Sequence, residues 1–76
     1  MDVEVTVAQG SQGNVLLAIN WDLAQTATVA LRPAALGHAT QAQGFSIDGD
    51  AKVTPVTYTL PTLQLAPQQA VLLRLR

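Results

Sequence analysis

The 76-residue sequence contains no cysteine, which excludes disulfide bonds and thiolate chemistry and leaves the redox compartment and localisation open. Charged residues are also scarce. Four Lys and Arg residues stand against five Asp and Glu residues, giving a net charge of −1. Proteins that neutralise nucleic-acid phosphates need a basic face, so the composition excludes a nucleic-acid partner of that kind.

Long apolar runs are missing too. None approaches the ~20 residues of a membrane span, and the first residues, Met1–Val5, lack the basic region of a signal peptide. Low charge (12%) combined with 49% apolar residues excludes intrinsic disorder. We therefore expect no membrane partner and one small domain over residues 1–76.

The residues that are abundant favour β-structure. The chain has 8 Thr, 8 Val and 2 Ile, while four Pro and five Gly interrupt any stretch of helical length. Alternation and short apolar runs predict an all-β fold, a small antiparallel β-sandwich or barrel of about seven to eight short strands with Greek-key-like connections. The segments with strand character are 3–7, 15–19, 26–31, 45–47, 53–60, 63–65 and 69–75, with 38–43 ambiguous.

The connections carry recognisable signals. Gly10–Asn14 is predicted to be a flexible link, and Pro33–Gly37 a single helical turn with Pro at its start and Gly past its end. Asp48–Asp50 predicts a tight hairpin in which Asp-Gly adopts positive φ angles. Pro55 and Pro61 confine the strand that contains them to a sheet edge or end it.

The alternation also assigns faces. Nine positions are expected in the core: Val5, Leu17, Ile19, Val29, Leu31, Val56, Leu65, Val71 and Leu73. Leu16, Ala18 and Leu72 then fall on an outer face, where neighbouring apolar residues predict an association surface. A second copy in a two-fold dimer is the simplest partner for that surface.

Residues suited to catalysis or metal binding are few. The acids Asp2, Glu4, Asp22, Asp48 and Asp50 fall in predicted turns or at solvent-facing positions and read as surface acids. Ser11 and Ser46 lack a nucleophile motif beside His38, the one histidine. Asp48-Gly49-Asp50 has too few oxygen ligands for a calcium loop. We expect no catalytic residue, metal or cofactor.

Trp21 and Tyr58 are the candidates for a sugar-stacking platform, because an exposed flat ring can stack on a sugar. Trp21 is in phase with Val15, Leu17 and Ile19, which favours a structural position in the core or at its rim. Both interpretations stay open, with the structural one preferred.

Three segments give the chain a family resemblance. Val15–Trp21 followed by Ala27–Leu31 matches an apolar strand that ends in Asn-Trp and opens a hairpin. Leu36-Gly37 occupies a middle turn, and Leu63–Leu75 matches a closing hairpin of the type Leu-x-Leu-x-Pro followed by Leu-Leu-x-Leu. Over residues 3 to 75 the chain thus resembles the C-terminal β-sandwich domain that follows the catalytic barrel in α-galactosidase-like and related retaining glycoside hydrolases.

The resemblance implies a non-catalytic accessory module, because the catalytic carboxylates of that family lie in the barrel. Its partner would be the catalytic domain of a glycoside hydrolase or a second copy in a homodimer. Two alternatives are a small carbohydrate-binding module that uses Trp21 and Tyr58 for weak sugar binding, and a hydrolase fragment without the active site.

Overall fold

The computed structural model describes residues 2–10, 13–32 and 39–75, and every regular element in this part of the chain is a β-strand. No helix long and apolar enough to cross a membrane occurs among these residues. In chain order the strands are β1 (Val3–Gly10), β2 (Gly13–Asn20), β3 (Ala27–Ala30), β4 (Gln41–Ile47), β5 (Val53–Thr59), β6 (Thr62–Leu65) and β7 (Ala70–Leu75).

All strand pairs are antiparallel, and they define two sheets. The larger sheet has the order β1-β2-β7-β4-β5, and β3 pairs with β6 in a two-stranded sheet that packs on one of its faces. The last strand, β7, lies at the centre and joins the β1–β2 and β4–β5 hairpins. The predicted fold class, a small antiparallel β-sandwich, is confirmed.

The core lies between the two sheets, and its largest contributions come from β2, β6 and β7. Cross-strand register brings Leu16 opposite Leu73 and Ala18 opposite Val71 on the inner face. Buried aliphatic residues opposite one another remove apolar surface from water, which drives the two sheets together. The fully buried or nearly fully buried aliphatic side chains are Leu16, Ala18, Ala42, Leu63, Leu65, Val71 and Leu73.

Four predicted core residues, Leu31, Leu65, Val71 and Leu73, are buried. Two more, Val29 and Val56, are half-buried and pack against the core.

The predicted face of β2 is wrong by one residue. Leu16 and Ala18 are 0% exposed, whereas Leu17 is 40% exposed and Ile19 is half-buried. The run before Asn20 is apolar in both phases, so alternation cannot distinguish its two faces. Asn20 sets the phase, because its buried side chain is satisfied by hydrogen bonds and therefore points inward with Leu16 and Ala18.

The two edge strands of the large sheet differ. The core position predicted for Val5 is wrong: this residue lies on the inner face opposite Ala18, but it is 39% exposed because β1 is an edge strand that pairs with β2. The strand at the other edge is β5, so the edge position that Pro55 predicts for this strand is confirmed.

The hairpin predicted at Asp48–Asp50 joins β4 to β5. Its backbone closes with Asp48 N–H donating to the carbonyl of Lys52 at 3.2 Å. The residue with positive φ is Ala51, at 61°, and not Gly49. The turn therefore takes its shape from the Asp48 carboxylate, which accepts hydrogen bonds from the N–H groups of Asp50 and Lys52 at 3.0 Å each.

Of the link predicted at Gly10–Asn14, the described residues are strand, because β1 reaches Gly10 and β2 begins at Gly13 directly opposite it. Ser11 and Gln12 lie outside the described residues. In the ambiguous segment, β4 begins at Gln41. The helical turn predicted at Pro33–Gly37, with His38 after it, lies outside the described residues.

Candidate functional site

The outer face of the large sheet presents two neighbouring rows of apolar side chains. Directly opposed residues of antiparallel strands share a face. In the first row, Leu17 lies opposite Leu72, Leu72 opposite Phe45, and Phe45 opposite Pro55.

The second row is formed in the same way by Ile19, Ala70, Ile47 and Val53. The two rows together cross four adjacent strands, and we call them the outer apolar face. A depression of about 480 Å³ beside Phe45 and Pro55 extends this face toward Arg74.

The outer apolar face is open to solvent and has no charged member. Phe45 is 53% exposed and Leu72 is 51% exposed, and Val53 is exposed as well. Charge begins at the border, where Glu4 lies opposite Ile19 and Arg74 opposite Val15. Single exposed apolar residues are ordinary, but a contiguous group on adjacent strands marks a surface that binds a partner.

This arrangement corrects the predicted association surface. Leu16 and Ala18 are in the core, so they cannot belong to it, while Leu72 is exposed at the place predicted for it. The neighbours of Leu72 are Leu17 and Phe45, which the sequence analysis did not assign to the surface.

Trp21 follows β2 on the outer side of the sheet and is 58% exposed, so of the two structural positions predicted for it, the core or its rim, it does not occupy the core. Its indole Nε1–H donates to the carboxylate of Glu4 at 3.3 Å. The ring borders a groove of about 380 Å³ whose other walls include Leu23, Asp48 and Gln68. An exposed indole beside a carboxylate and an amide combines a stacking surface with hydrogen-bonding groups.

Tyr58 is not part of that groove. It lies opposite Ala42 on the inner face and packs half-buried against the core. Its hydroxyl donates to the carbonyl of Gln64 at 3.5 Å, and burial raises the pKa of the phenol. Trp21 and Tyr58 therefore lie on opposite sides of the large sheet and do not form one platform.

Asn20 is the polar residue whose importance the sequence analysis missed. Its Nδ2 donates to the carbonyls of Gln25, Leu65 and Ala66 at 2.9, 3.1 and 3.1 Å, and its Oδ1 accepts from the N–H of Asp22 at 3.0 Å. One buried side chain thus ties the loop after β2 to the end of β6. The available signal was an asparagine at the end of an otherwise apolar strand.

The acids serve local structure. Asp22 Oδ1 accepts from the N–H groups of Ala24 and Gln25 at 2.8 and 2.9 Å, and these bonds lower the pKa of Asp22. Glu4 binds Trp21, and Asp48 shapes its hairpin. Within the ranges that the structure describes, no three His, Asp or Glu side chains come together as a metal site.

Ser46 is buried and accepts a hydrogen bond from Nε2 of Gln69 at 2.6 Å, so it is part of the β4–β7 packing. Ser11 and His38 lie outside the described residues.

No family model, no curated protein and no solved structure matches this chain.

Proposed function

We propose that this chain is a non-catalytic accessory β-sandwich module of a glycoside hydrolase, and that its outer apolar face packs against the catalytic barrel. The resemblance of Val15–Leu31 and Leu63–Leu75 to the C-terminal domain of such hydrolases supports the class. The observation that carries the docking role is the outer apolar face, centred on Leu72 between Leu17 and Phe45.

The size of that face favours a neighbouring domain over a second copy. Four strands spaced about 4.8 Å apart and about 20 Å long offer roughly 400 Å² on one side. A stable complex of separate proteins commonly buries about 800 Å² on each partner. Interfaces between domains of one chain start at about 600 Å² in total, because the covalent link keeps the partners together. The outer apolar face and an equal area on a barrel therefore suffice for an interface between two domains of one chain, whereas two copies of the face are too small for a stable dimer of separate proteins.

The roles of the acids agree with an accessory function. Asp22 and Asp48 hold backbone N–H groups of their own turns, and Glu4 holds the indole of Trp21. Each of these carboxylates is used to shape the module.

The proposal is tested on the complete reading frame that contains this sequence, which is expected to encode a barrel beside it. In the complete protein, Leu72→Asp should lower Tm of the hydrolase by several degrees. Hydrolysis of a chromogenic α-galactoside shows whether the complete protein is an active glycosidase. In the isolated module the same change should leave Tm nearly unaltered, because Leu72 is exposed there. Thr28→Asp, at an exposed position of the small sheet, is the matched control.

Two results would reject the proposal. One is a reading frame without a barrel. The other is a complete protein in which Leu72→Asp and Thr28→Asp have equal effects on Tm.

A second candidate function is carbohydrate binding, and the exposure of Trp21 favours it. The groove could hold one sugar ring with the indole against the apolar face of the ring and the Asp48 and Gln68 side chains near its hydroxyls. Titration with galactosides and polysaccharides should then shift the Trp21 fluorescence saturably in the wild type, and Asp48→Asn or Gln68→Ala should weaken the binding. Tyr58→Phe, on the other side of the sheet, should bind like the wild type. Unchanged fluorescence across the panel would leave Trp21 as a structural residue.

A further inference from the structure

Among the described residues, no strand pairs with the outward edge of β1. The N–H of Trp21 donates to the carbonyl of Asp2 at 2.7 Å, toward β1. The N–H of the preceding residue, Asn20, donates to the carbonyl of Gln69 at 2.9 Å, toward β7. Since backbone groups alternate in direction along an antiparallel strand, the even-numbered residues of β1 face β2. The N–H and C=O groups of Val3, Val5 and Val7 therefore point away from the sheet.

Within residues 2–10, 13–32 and 39–75, this edge lacks the features that usually prevent strand pairing. The register from Val3 opposite Asn20 to Gly10 opposite Gly13 is continuous, so β1 contains no bulge. It contains no proline or lysine, and its one acid, Glu4, lies on the outer face rather than pointing inward. The opposite edge strand, β5, is protected by Pro55. An unprotected edge of this kind is a template for another strand.

The sandwich is also open beside that edge. A groove of about 340 Å³ separates β1 from β3, and its apolar walls are formed by Val5, Val7, Val29 and Leu31. Among the described residues β1 pairs with β2 alone, which leaves the inward-facing Val5 accessible. A strand added at this edge would satisfy the outward-pointing backbone groups and cover the valines together.

We propose that β1 pairs antiparallel with β1 of a second copy of this chain, about a two-fold axis through Val5. In this register Val5 lies opposite Val5 of the partner subunit, and Val3 lies opposite Val7 of the partner subunit. Glu4 then lies opposite Thr6 of the partner subunit, so no two acids face each other. The self-complementary pattern of β1 is what selects a second copy as the occupant.

The two-fold axis runs perpendicular to the large sheet, which has two consequences. The two large sheets become one continuous ten-stranded sheet, and both small sheets lie on the same side, facing each other across the inward-facing valines. The outer apolar faces lie on the other side and stay free. The dimer is therefore independent of the docking proposed above, and because its contact is small it should form at high protein concentration.

The first test is amide hydrogen exchange at two protein concentrations, combined with sedimentation equilibrium. The mean mass should rise from 8.0 kDa toward twice that value as the concentration increases. The amides of Val3, Val5 and Val7 should exchange at least about ten-fold more slowly in the concentrated sample, because only the dimer protects them. The amides of Glu4 and Thr6, which already face β2, should not change.

The second test uses two variants. Val5→Pro removes an outward N–H and leaves the bonds to β2, so it should give a folded monomer by circular dichroism and sedimentation. Leu72→Glu on the outer apolar face should leave the dimer intact. A mass of 8.0 kDa at every concentration, or a dimer split by Leu72→Glu alone, would overturn the proposal. If Val5→Pro does not fold, the concentration dependence of the wild-type amides decides.

Discussion

The side-chain amide of Asn20, at the end of β2, donates a hydrogen bond to the backbone carbonyl of Leu65, at the end of β6, across 3.1 Å. The same nitrogen also holds the neighbouring carbonyl of Ala66 and, on the loop after β2, that of Gln25. The Asn20 side chain thus links the end of β2 in the large sheet to the end of β6 in the small sheet by hydrogen bonds, although no described strand of one sheet pairs with a strand of the other.

Replacing Asn20 with Ala should destabilise the domain by about 2–4 kcal/mol, because it leaves buried carbonyls without donors. The measurement is the free energy of unfolding in urea. Asn20→Asp is the informative companion. Its carboxylate would face three carbonyl oxygens, so its pKa should be raised above the unfolded value, and this variant should regain stability as the pH falls through the raised pKa. Wild-type stability in Asn20→Ala would contradict the role.

Adjacent residues on β2 provide a matched test of the face assignment. Leu16→Ala removes a fully buried side chain and should cost about 2–5 kcal/mol, whereas Leu17→Ala should change stability by about 0.5 kcal/mol or less. Thermal melting of both variants measures the difference. If Leu17→Ala were the more damaging change, β2 would have the opposite phase to the one described.

Gly44 allows a close approach of β4 and β7. A Cβ atom at this position would overlap the carbonyl oxygen of Leu72 and would lie 3.0 Å from the Cα of Leu73. Both are backbone atoms, so the strands would have to separate, and Gly44→Ala should destabilise by about 1–3 kcal/mol.

Gly49→Ala is the control for Gly44→Ala. The atom nearest to its added Cβ would be Oε1 of Gln68, at 2.8 Å, and that end of a flexible side chain can move aside. Equal losses in Tm for the two variants would show that β4 and β7 do not approach each other as described.

Asp22 predicts an acid-dependent loss of stability. Hydrogen bonds from the N–H groups of Ala24 and Gln25 lower its pKa below the ordinary value of 3.8 in the folded state. A lowered pKa stabilises the fold fully above the unfolded pKa, and this contribution disappears as the pH falls through the folded pKa. The Tm difference between wild type and Asp22→Ala should therefore shrink below about pH 4. A difference independent of pH would exclude this contribution.

Much of the fold could be predicted from the sequence, since alternation in the chain reports strands directly. The last strand shows this most clearly: Val71 and Leu73 are buried, and Leu72 and Arg74 are exposed. The same reasoning failed in β2, where both phases are apolar and the deciding residue is polar. The direction of Asn20 depends on carbonyls that are distant in sequence, and no local pattern contains them.

The candidate site was less accessible to sequence reasoning, for a related reason. Leu72 was placed correctly, but its neighbours Leu17 and Phe45 reach it through strand pairings that alternation does not specify. The pairing of β7 with both β2 and β4 creates the outer apolar face, so that face could not be predicted before the strand order was known.

The central position of β7 has a consequence for assembly of the native state. Without β7 the large sheet is two separate hairpins, and a lone two-stranded hairpin is marginally stable in water. The large sheet therefore cannot form until β7, the last strand of the chain, is in place. Because β2 pairs with a strand that is distant in sequence, we expect folding to be slow for a domain of this length. A protein truncated after Ala66 should lose cooperative unfolding, and a synthetic peptide carrying Ala70–Leu75 should restore it by strand insertion.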